Sequence, residues 1–193
     1  MRLKKLYLNG KLLEVPHPFE EELGWLVSTN HRLVMENISH IEKEAVATDD
    51  HLDLGELHDY SDELRRAANN FALVGLVTRF RHWVNLFLEE LLENRFEDQG
   101  LQKNLEALEQ RTGKGPTPIS FFQELGTVRD SIIHADSKIA WIHGSKPKQI
   151  AERYADVSLG EVGFTQAHLQ EAIEKSIEQI KWYDERLDVL SQI

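Results

Sequence analysis

The chain of 193 residues contains no cysteine, and this excludes a disulfide framework, a thiolate metal site and a thiol nucleophile. It also lacks any uninterrupted apolar run of roughly 18 residues, the length that a membrane-spanning helix requires. The charged start MRLKKLYLNG is not followed by the apolar stretch or the cleavage site of a signal peptide. We therefore expect a soluble cytoplasmic protein with no membrane partner.

Positive charge is scarce as well. The chain has 22 Lys and Arg against 33 Asp and Glu, which gives a net charge of −11. Sequence-independent binding of nucleic acid depends on many Lys and Arg side chains that neutralise phosphates. The charge balance therefore excludes a broad nucleic-acid surface, and any contact with RNA must be confined to a few basic residues at one site. A hydrophobic fraction of 41% is that of an ordinary globular domain.

The first 16 residues have the pattern of a β-hairpin. The segments LYL and KLLEV flank Asn9 and Gly10, a dipeptide that readily adopts the positive φ angles of a two-residue turn. We predict that residues 1–16 form a hairpin or arm, and that residues 17–193 form a single α-helical domain.

Apolar residues recur at helical spacing over most of the remaining chain. They predict helices over 19–47, from Ser61 as N-cap to about Phe96, and over 101–111, 119–137 and 165–190. The second of these has a seam spaced 4-3-4-3-4, which is typical of a packed bundle helix: Leu73, Val77, Phe80, Val84, Phe87 and Leu91. The acidic segment 48–63 is expected to be a loop, and HGSKPKQ (143–149) a turn-rich stretch. The predicted fold class is all-α, an up-and-down helical bundle with a small N-terminal β-hairpin.

The helix predicted over 119–137 carries polar residues inside an apolar run. At about 100° per residue, one narrow stripe forms its core face: Phe121, Leu125, Val128 and Ile132. A second face mixes large apolar and polar side chains: Phe122, Arg129, Asp130, Ile133 and His134. Such a mixture is typical of an interface or a site, although ordinary solvated surface remains the alternative.

Asp130 and His134 are four residues apart, so their side chains are neighbours on the helix, and we expect Asp130 to orient the imidazole of His134. Arg129 and His134 are offset by about 140° around the helix axis, so one helix aims them apart. Two copies of the helix packed together would bring these groups into one cleft. This geometry predicts a homodimer.

The segment ELGTVRDSIIHADSKI resembles the hallmark helix of the HEPN domains (higher eukaryotes and prokaryotes nucleotide-binding). Their signature is an Arg, four to six further residues and a His, often with a polar residue, commonly Asn, directly after the Arg. Here Arg129, Asp130 and His134 occupy these positions, and the order of the surrounding helices is also similar. The resemblance covers roughly residues 71–193.

The resemblance implies an all-α bundle that dimerises through its motif helices. Many members of the family are metal-independent endoribonucleases of toxin–antitoxin and phage-defence systems, and others are non-catalytic interaction modules. It therefore implies an RNA substrate, an antitoxin protein as partner, no metal or cofactor, and catalysis by Arg129, His134 and Asp130. Asp130 departs from the commoner Asn, and a carboxylate beside a phosphate would repel the substrate unless it is neutralised. A catalytically inactive interaction or regulatory module is the alternative.

In a metal-independent ribonuclease, His134 is the natural proton donor or acceptor and Arg129 a fixed set of donors for phosphate oxygens. Ser131 and Lys138 are candidates for binding the substrate. His143 is a candidate for the same cleft, but the sequence does not assign it there.

A metal-dependent bundle enzyme is a weaker alternative, because the acidic segment around His51 and His58 lacks calcium-loop spacing. The pair Glu36 and His40 lacks the repeated motif of di-iron bundles.

Overall fold

The structure is a computed structural model that describes residues 6–8, 11–13, 17–24, 30–48, 54–92, 96–156 and 159–190. Within these ranges the α-helices are α1 (Pro18–Leu23), α2 (Asn30–Thr48), α3 (Leu54–Leu92), α4 (Leu101–Thr112), α5 (Ile119–His134), α6 (Ser145–Glu152) and α7 (Gln166–Leu190). A short 3-10 helix, Ile139–Trp141, follows α5. The predicted all-α helical bundle is confirmed.

In the described part of the chain, four short strands form two separate antiparallel ribbons. Strand β1 (Leu6–Leu8) pairs with β2 (Lys11–Leu13), and this confirms the predicted N-terminal hairpin. Strand β3 (Ala155–Asp156) pairs with β4 (Glu161–Val162) just before α7. The second ribbon matters for the site, because it holds the chain that follows α5.

Helix α3 is the centre of the bundle and packs against α2, α4, α5 and α7. The predicted seam is confirmed: it is buried from Leu73 to Phe87, and Leu91 packs against the edge of the core. The rings of Phe80 on α3 and Phe122 on α5 stack with their centroids 4.3 Å apart. Nearer the start of α3, Asn70 contacts Ser137, which follows the end of α5. The two helices therefore run antiparallel.

Two predicted boundaries were wrong. Helix α3 begins at Leu54, so the segment expected to be an acidic loop is partly helical, and Ser61 is buried inside the helix instead of capping it. Carboxylates stabilise a helix when they lie near its N-terminus, as they do at the start of α3. In addition, α2 contacts this part of α3 through Glu42, whose carboxylate accepts hydrogen bonds of 2.6 and 2.8 Å from Nη2 of Arg65. The stretch expected to be turns contains α6, which packs against α5.

The helix predicted over 19–47 corresponds to two described helices, α1 and α2, and residues 25–29 between them lie outside the described residues. At the start of α1, Nδ1 of His17 accepts a hydrogen bond of 3.1 Å from the amide of Phe19.

The buried face of α5 is broader than the predicted stripe. Its buried residues are Phe122, Leu125, Val128 and Ser131, whereas Phe121 and Ile132 are half-buried at its edges. The prediction that Phe122 belongs to the outer face was wrong. The physical reason is α3, because the ring of Phe122 stacks on the ring of Phe80 with the centroids 4.3 Å apart.

A polar network fixes the start of α4 against α3. The carboxylate of Asp98 accepts hydrogen bonds from Arg81, Asn85, Gly100 and Asn104 at 2.7–3.1 Å. Partial burial by itself raises the pKa of Asp98, but these hydrogen bonds outweigh it and lower the pKa to about 2.

Among the described helices, none is long and apolar enough to cross a lipid bilayer.

Candidate functional site

A tight reversal follows the motif helix. Asp136 and Ser137 both adopt left-handed backbone conformations, with φ of 49° and 60°, which costs free energy for residues other than glycine. Two backbone hydrogen bonds hold this reversal: the amide of Val162 donates to Ser137 O at 2.7 Å, and the amide of Ile139 donates to Gly160 O at 3.1 Å. The β3–β4 ribbon thus turns the chain back beside the C-terminal end of α5.

Asn70 connects three elements around this reversal. Its buried side-chain amide donates to the carbonyl of Val162 at 3.0 Å and to Oγ of Ser137 at 3.4 Å, and its Oδ1 accepts from the amide of Phe164 at 3.0 Å. No local pattern in the sequence indicates this role, because Asn70 meets Val162 only in the folded chain.

The reversal creates a cavity of about 320 Å³ between the end of α5 and the segment 141–147. Its polar lining comes from Asp130, Ser131, His134 and His143, and Trp141 contributes an aromatic wall. The structure therefore brings together three predicted site residues. It adds His143, which the sequence left unassigned, because the 3-10 helix carries it back towards α5.

Arg129 lies outside this lining, on the neighbouring side of α5. Its Nη1 donates a hydrogen bond of 2.6 Å to Oδ1 of Asp130, and its side chain is 28% exposed. Its Nε is buried and has no hydrogen-bond partner among the described residues. The side chain is thus only partly open to solvent, and its Nε is not accessible from outside.

Asp130 does not orient His134 as predicted. No hydrogen bond joins the two side chains in the described part of the chain, since the carboxylate binds Arg129 instead. The long, flexible side chain of Arg129 reaches the carboxylate of Asp130. A hydrogen bond between two charged groups is stronger than one from Asp130 to the exposed imidazole of His134. Asp130 thus positions Arg129 and partly neutralises it.

The two predicted substrate-binding residues have different surroundings. Ser131 is buried at the cavity floor, and its hydroxyl donates to the carbonyl of Thr127 at 2.8 Å, one turn earlier in the helix. Lys138 lies beside the cavity, with its Nζ 4.4 Å from the ring centroid of Trp141. The indole itself is 55% exposed, so a flat aromatic surface and a cation occur together at the cavity edge.

A larger cavity of about 810 Å³ adjoins the first, with Thr127, Asp130 and Pro147 common to both linings. It lies between α4, α5 and α6 and includes the basic side chains of Lys146 and Arg153. Arg153 pairs with Glu124 at 3.0 Å, whereas Lys146 is exposed. The N-terminal end of α6, which carries partial positive charge, also begins here. Together the cavities form a continuous groove along α5.

The candidate metal ligands do not form a site among the described side chains, where no group of three or more His, Asp or Glu is close enough to hold an ion. His51 and the side chain of His58 lie outside the described residues. Glu36 pairs with Arg32 at 3.4 Å, and both side chains are exposed.

Comparison with known proteins finds no family model, no curated protein and no solved structure that matches this chain. The HEPN resemblance therefore depends on the motif of α5 and the order of the helices around it.

Proposed function

We propose that this protein is a HEPN-like, metal-independent endoribonuclease with a role in a toxin–antitoxin or phage-defence system. The observation that carries the proposal is the position of His134, which lines the cavity at the end of α5, next to a larger cavity that shares part of its lining. Cleavage of RNA without a metal uses the 2′-OH of the substrate as nucleophile, so the protein has only to move protons and stabilise charge.

The side chains of the groove supply these functions. His134 exchanges a proton with the substrate, since histidine is the side chain that most often serves as a general acid or base. Arg129 provides charged donors for the phosphate oxygens, and Asp130 holds the guanidinium in place until substrate arrives. Lys146 and Arg153 contact phosphates further along the RNA.

We propose that the active form is a homodimer through α5, because Arg129 lies outside the cavity of its own His134. Two large apolar side chains near this end of α5 are open to solvent: Ile133 is 44% exposed and Phe71 is 75% exposed. The antiparallel packing of α3 and α5 puts Phe71 near the same end of the bundle, because its neighbour Asn70 contacts Ser137. A second copy would cover this surface and bring two Arg129 and two His134 into one cleft.

A catalytically inactive interaction or regulatory module is the second candidate function. It is favoured by the ion pair of Arg129 and Asp130, which occupies part of the guanidinium, and by the net charge of −11. In this alternative, the groove would bind a protein partner and no reaction would follow.

A cleavage assay on generic single-stranded RNA, with and without EDTA, separates these functions. Cleavage that persists in EDTA and disappears in His134→Ala supports the ribonuclease, provided that circular dichroism shows the variant to be helical. The matched control is His82→Ala, an exposed histidine on α3 outside both cavities. Cleavage lost on chelation would indicate a metal enzyme, and no cleavage by the wild type would favour the inactive module.

A further inference from the structure

We propose that His134 and His143 of the same chain form the acid–base pair of the reaction, and that the cavity between them binds the nucleotide at the scissile phosphate. This inference rests on the proposed ribonuclease function. It assigns His143 a catalytic role and makes each chain supply both proton-transfer groups.

His134 and His143 share one cavity. Both residues line the same space of about 320 Å³, and both are exposed, so a bound substrate can reach each side chain. Ligand pockets commonly begin at about 300 Å³, and this one is also open to solvent, so it accommodates part of a chain whose remainder continues into the adjoining cavity.

The fold holds the segment that leads to His143 in a fixed position. The two left-handed residues, Asp136 and Ser137, turn the chain immediately after α5. Hydrogen bonds from the β3–β4 ribbon and from Asn70 then fix the segment that leads to His143. A strained backbone that surrounding contacts maintain is a common feature of functional sites.

The cavity also has an aromatic wall. Trp141 contributes to the same lining although its indole is more than half exposed, and a nucleobase can stack on such a surface without sequence preference. Lys138, with Nζ 4.4 Å from the centroid of this ring, adds a positive charge next to the stacked nucleotide. A base on Trp141 would place its adjacent phosphate within the lining that contains the two histidines.

The reaction balances with two imidazoles and no further reagent. One neutral imidazole removes the proton of the 2′-OH, and the 2′-oxygen forms a bond to phosphorus. The bond between phosphorus and the 5′-oxygen breaks, and the other imidazole, which is protonated, donates its proton to that oxygen. The products are a 2′,3′-cyclic phosphate and a 5′-hydroxyl, and exchange of protons with water restores both histidines.

The test compares His134→Ala, His143→Ala and His143→Gln with the wild type and with the His82→Ala control, on two substrates. On ordinary RNA we expect each cavity variant to lose about 10²- to 10⁴-fold in cleavage rate, as is typical for the removal of a general acid or base. The second substrate has sulfur in place of the 5′-bridging oxygen at one phosphate. Because a thiolate leaves without protonation, this substrate should restore cleavage in the variant that lacks the acid and not in the variant that lacks the base.

The outcomes distinguish this inference from the function on which it rests. An inactive wild type would overturn both. If His134→Ala loses activity while the His143 variants keep that of the control, the ribonuclease stands and the acid–base pair is wrong. Equal rescue of both variants, or of neither, by the sulfur substrate would also contradict the pair.

Discussion

Nη1 of Arg129 lies 2.6 Å from Oδ1 of Asp130, so the two residues that begin the motif of α5 are bound to each other. Asp130 is 58% exposed at its side chain, whereas Arg129 is half as exposed. An anionic substrate must therefore compete with this carboxylate for the guanidinium of Arg129, so the ion pair lowers the affinity for phosphate.

We expect Asp130→Asn to increase the affinity for single-stranded RNA about 2- to 5-fold, because an exposed ion pair contributes only about 0.5–1 kcal/mol. Fluorescence anisotropy with labelled RNA at fixed salt would measure the change. The control is Asp136→Asn, which removes the same charge from an exposed residue just after α5. Equal gains in the two variants would mean that net charge, and not release of Arg129, is the cause.

The exposed Ile133 gives a test of the dimer. We expect Ile133→Asp to convert a dimer into a monomer without loss of helicity, since the side chain is outside the core and a charge in an apolar interface must be desolvated. Sedimentation equilibrium over a range of concentrations would measure the mass.

The control for Ile133→Asp is Val189→Asp on α7, which is 53% exposed and should leave the dimer intact. A wild type that is monomeric at every concentration, or a loss of the dimer in both variants, would contradict the interface.

Phe122 and Phe121 test which face of α5 is buried. We expect Phe122→Ala to lower the free energy of unfolding by about 3–5 kcal/mol, because its ring is 1% exposed and stacks on Phe80. Phe121→Ala should cost clearly less, because Phe121 is half-buried at the edge of the core. Urea unfolding followed by circular dichroism compares the two variants, and a larger loss in Phe121→Ala would contradict the described orientation of α5.

Asp184 makes stability depend on pH at the contact between α1 and α7. Its Oδ2 lies 3.8 Å from Nε2 of the buried His17, and burial, together with repulsion from Asp188, raises the pKa of Asp184 to about 6. Burial lowers the pKa of His17, and the acceptor role of its Nδ1 also requires the neutral ring. The contact is therefore not a full ion pair at neutral pH.

The sign of the pH effect follows from the direction of the shift. The folded state binds the Asp184 proton more tightly than the unfolded state, so this group favours folding at low pH. Its contribution is lost as the pH rises from about 4 to about 6 and is then constant. We expect the free energy of unfolding of the wild type to fall by an amount on the order of 2–3 kcal/mol across this interval because of Asp184. This decrease should be absent in Asp184→Asn.

Urea unfolding of the wild type and Asp184→Asn at pH 4, 5, 6 and 7 would measure the difference between their free energies of unfolding. His17 is present in both proteins, so the comparison isolates the carboxylate. Glu178→Gln, an exposed carboxylate on the same helix, should follow the wild type. A difference between wild type and Asp184→Asn that stays constant from pH 4 to 7 would rule out the raised pKa.

The helical bundle, the N-terminal hairpin and the seam of α3 were all predictable from the amino-acid sequence alone. These features depend on local turn chemistry and on the spacing of apolar residues along one helix, both of which are present in the chain before it folds. The N-cap of α7 is of the same kind, since Oγ1 of Thr165 accepts a hydrogen bond of 3.2 Å from the amide of His168.

Which side of α5 is buried, and which side chains share the cavity, depends on contacts between different elements of the fold. Phe122 is part of the core because its ring stacks on Phe80 of α3, and the carboxylate of Asp130 is bound by the guanidinium of Arg129. His143 reached the site because a ribbon more than ten residues later in the chain, together with Asn70 on α3, holds the reversal after α5. Such contacts join residues far apart in sequence, so no periodicity along the chain encodes them.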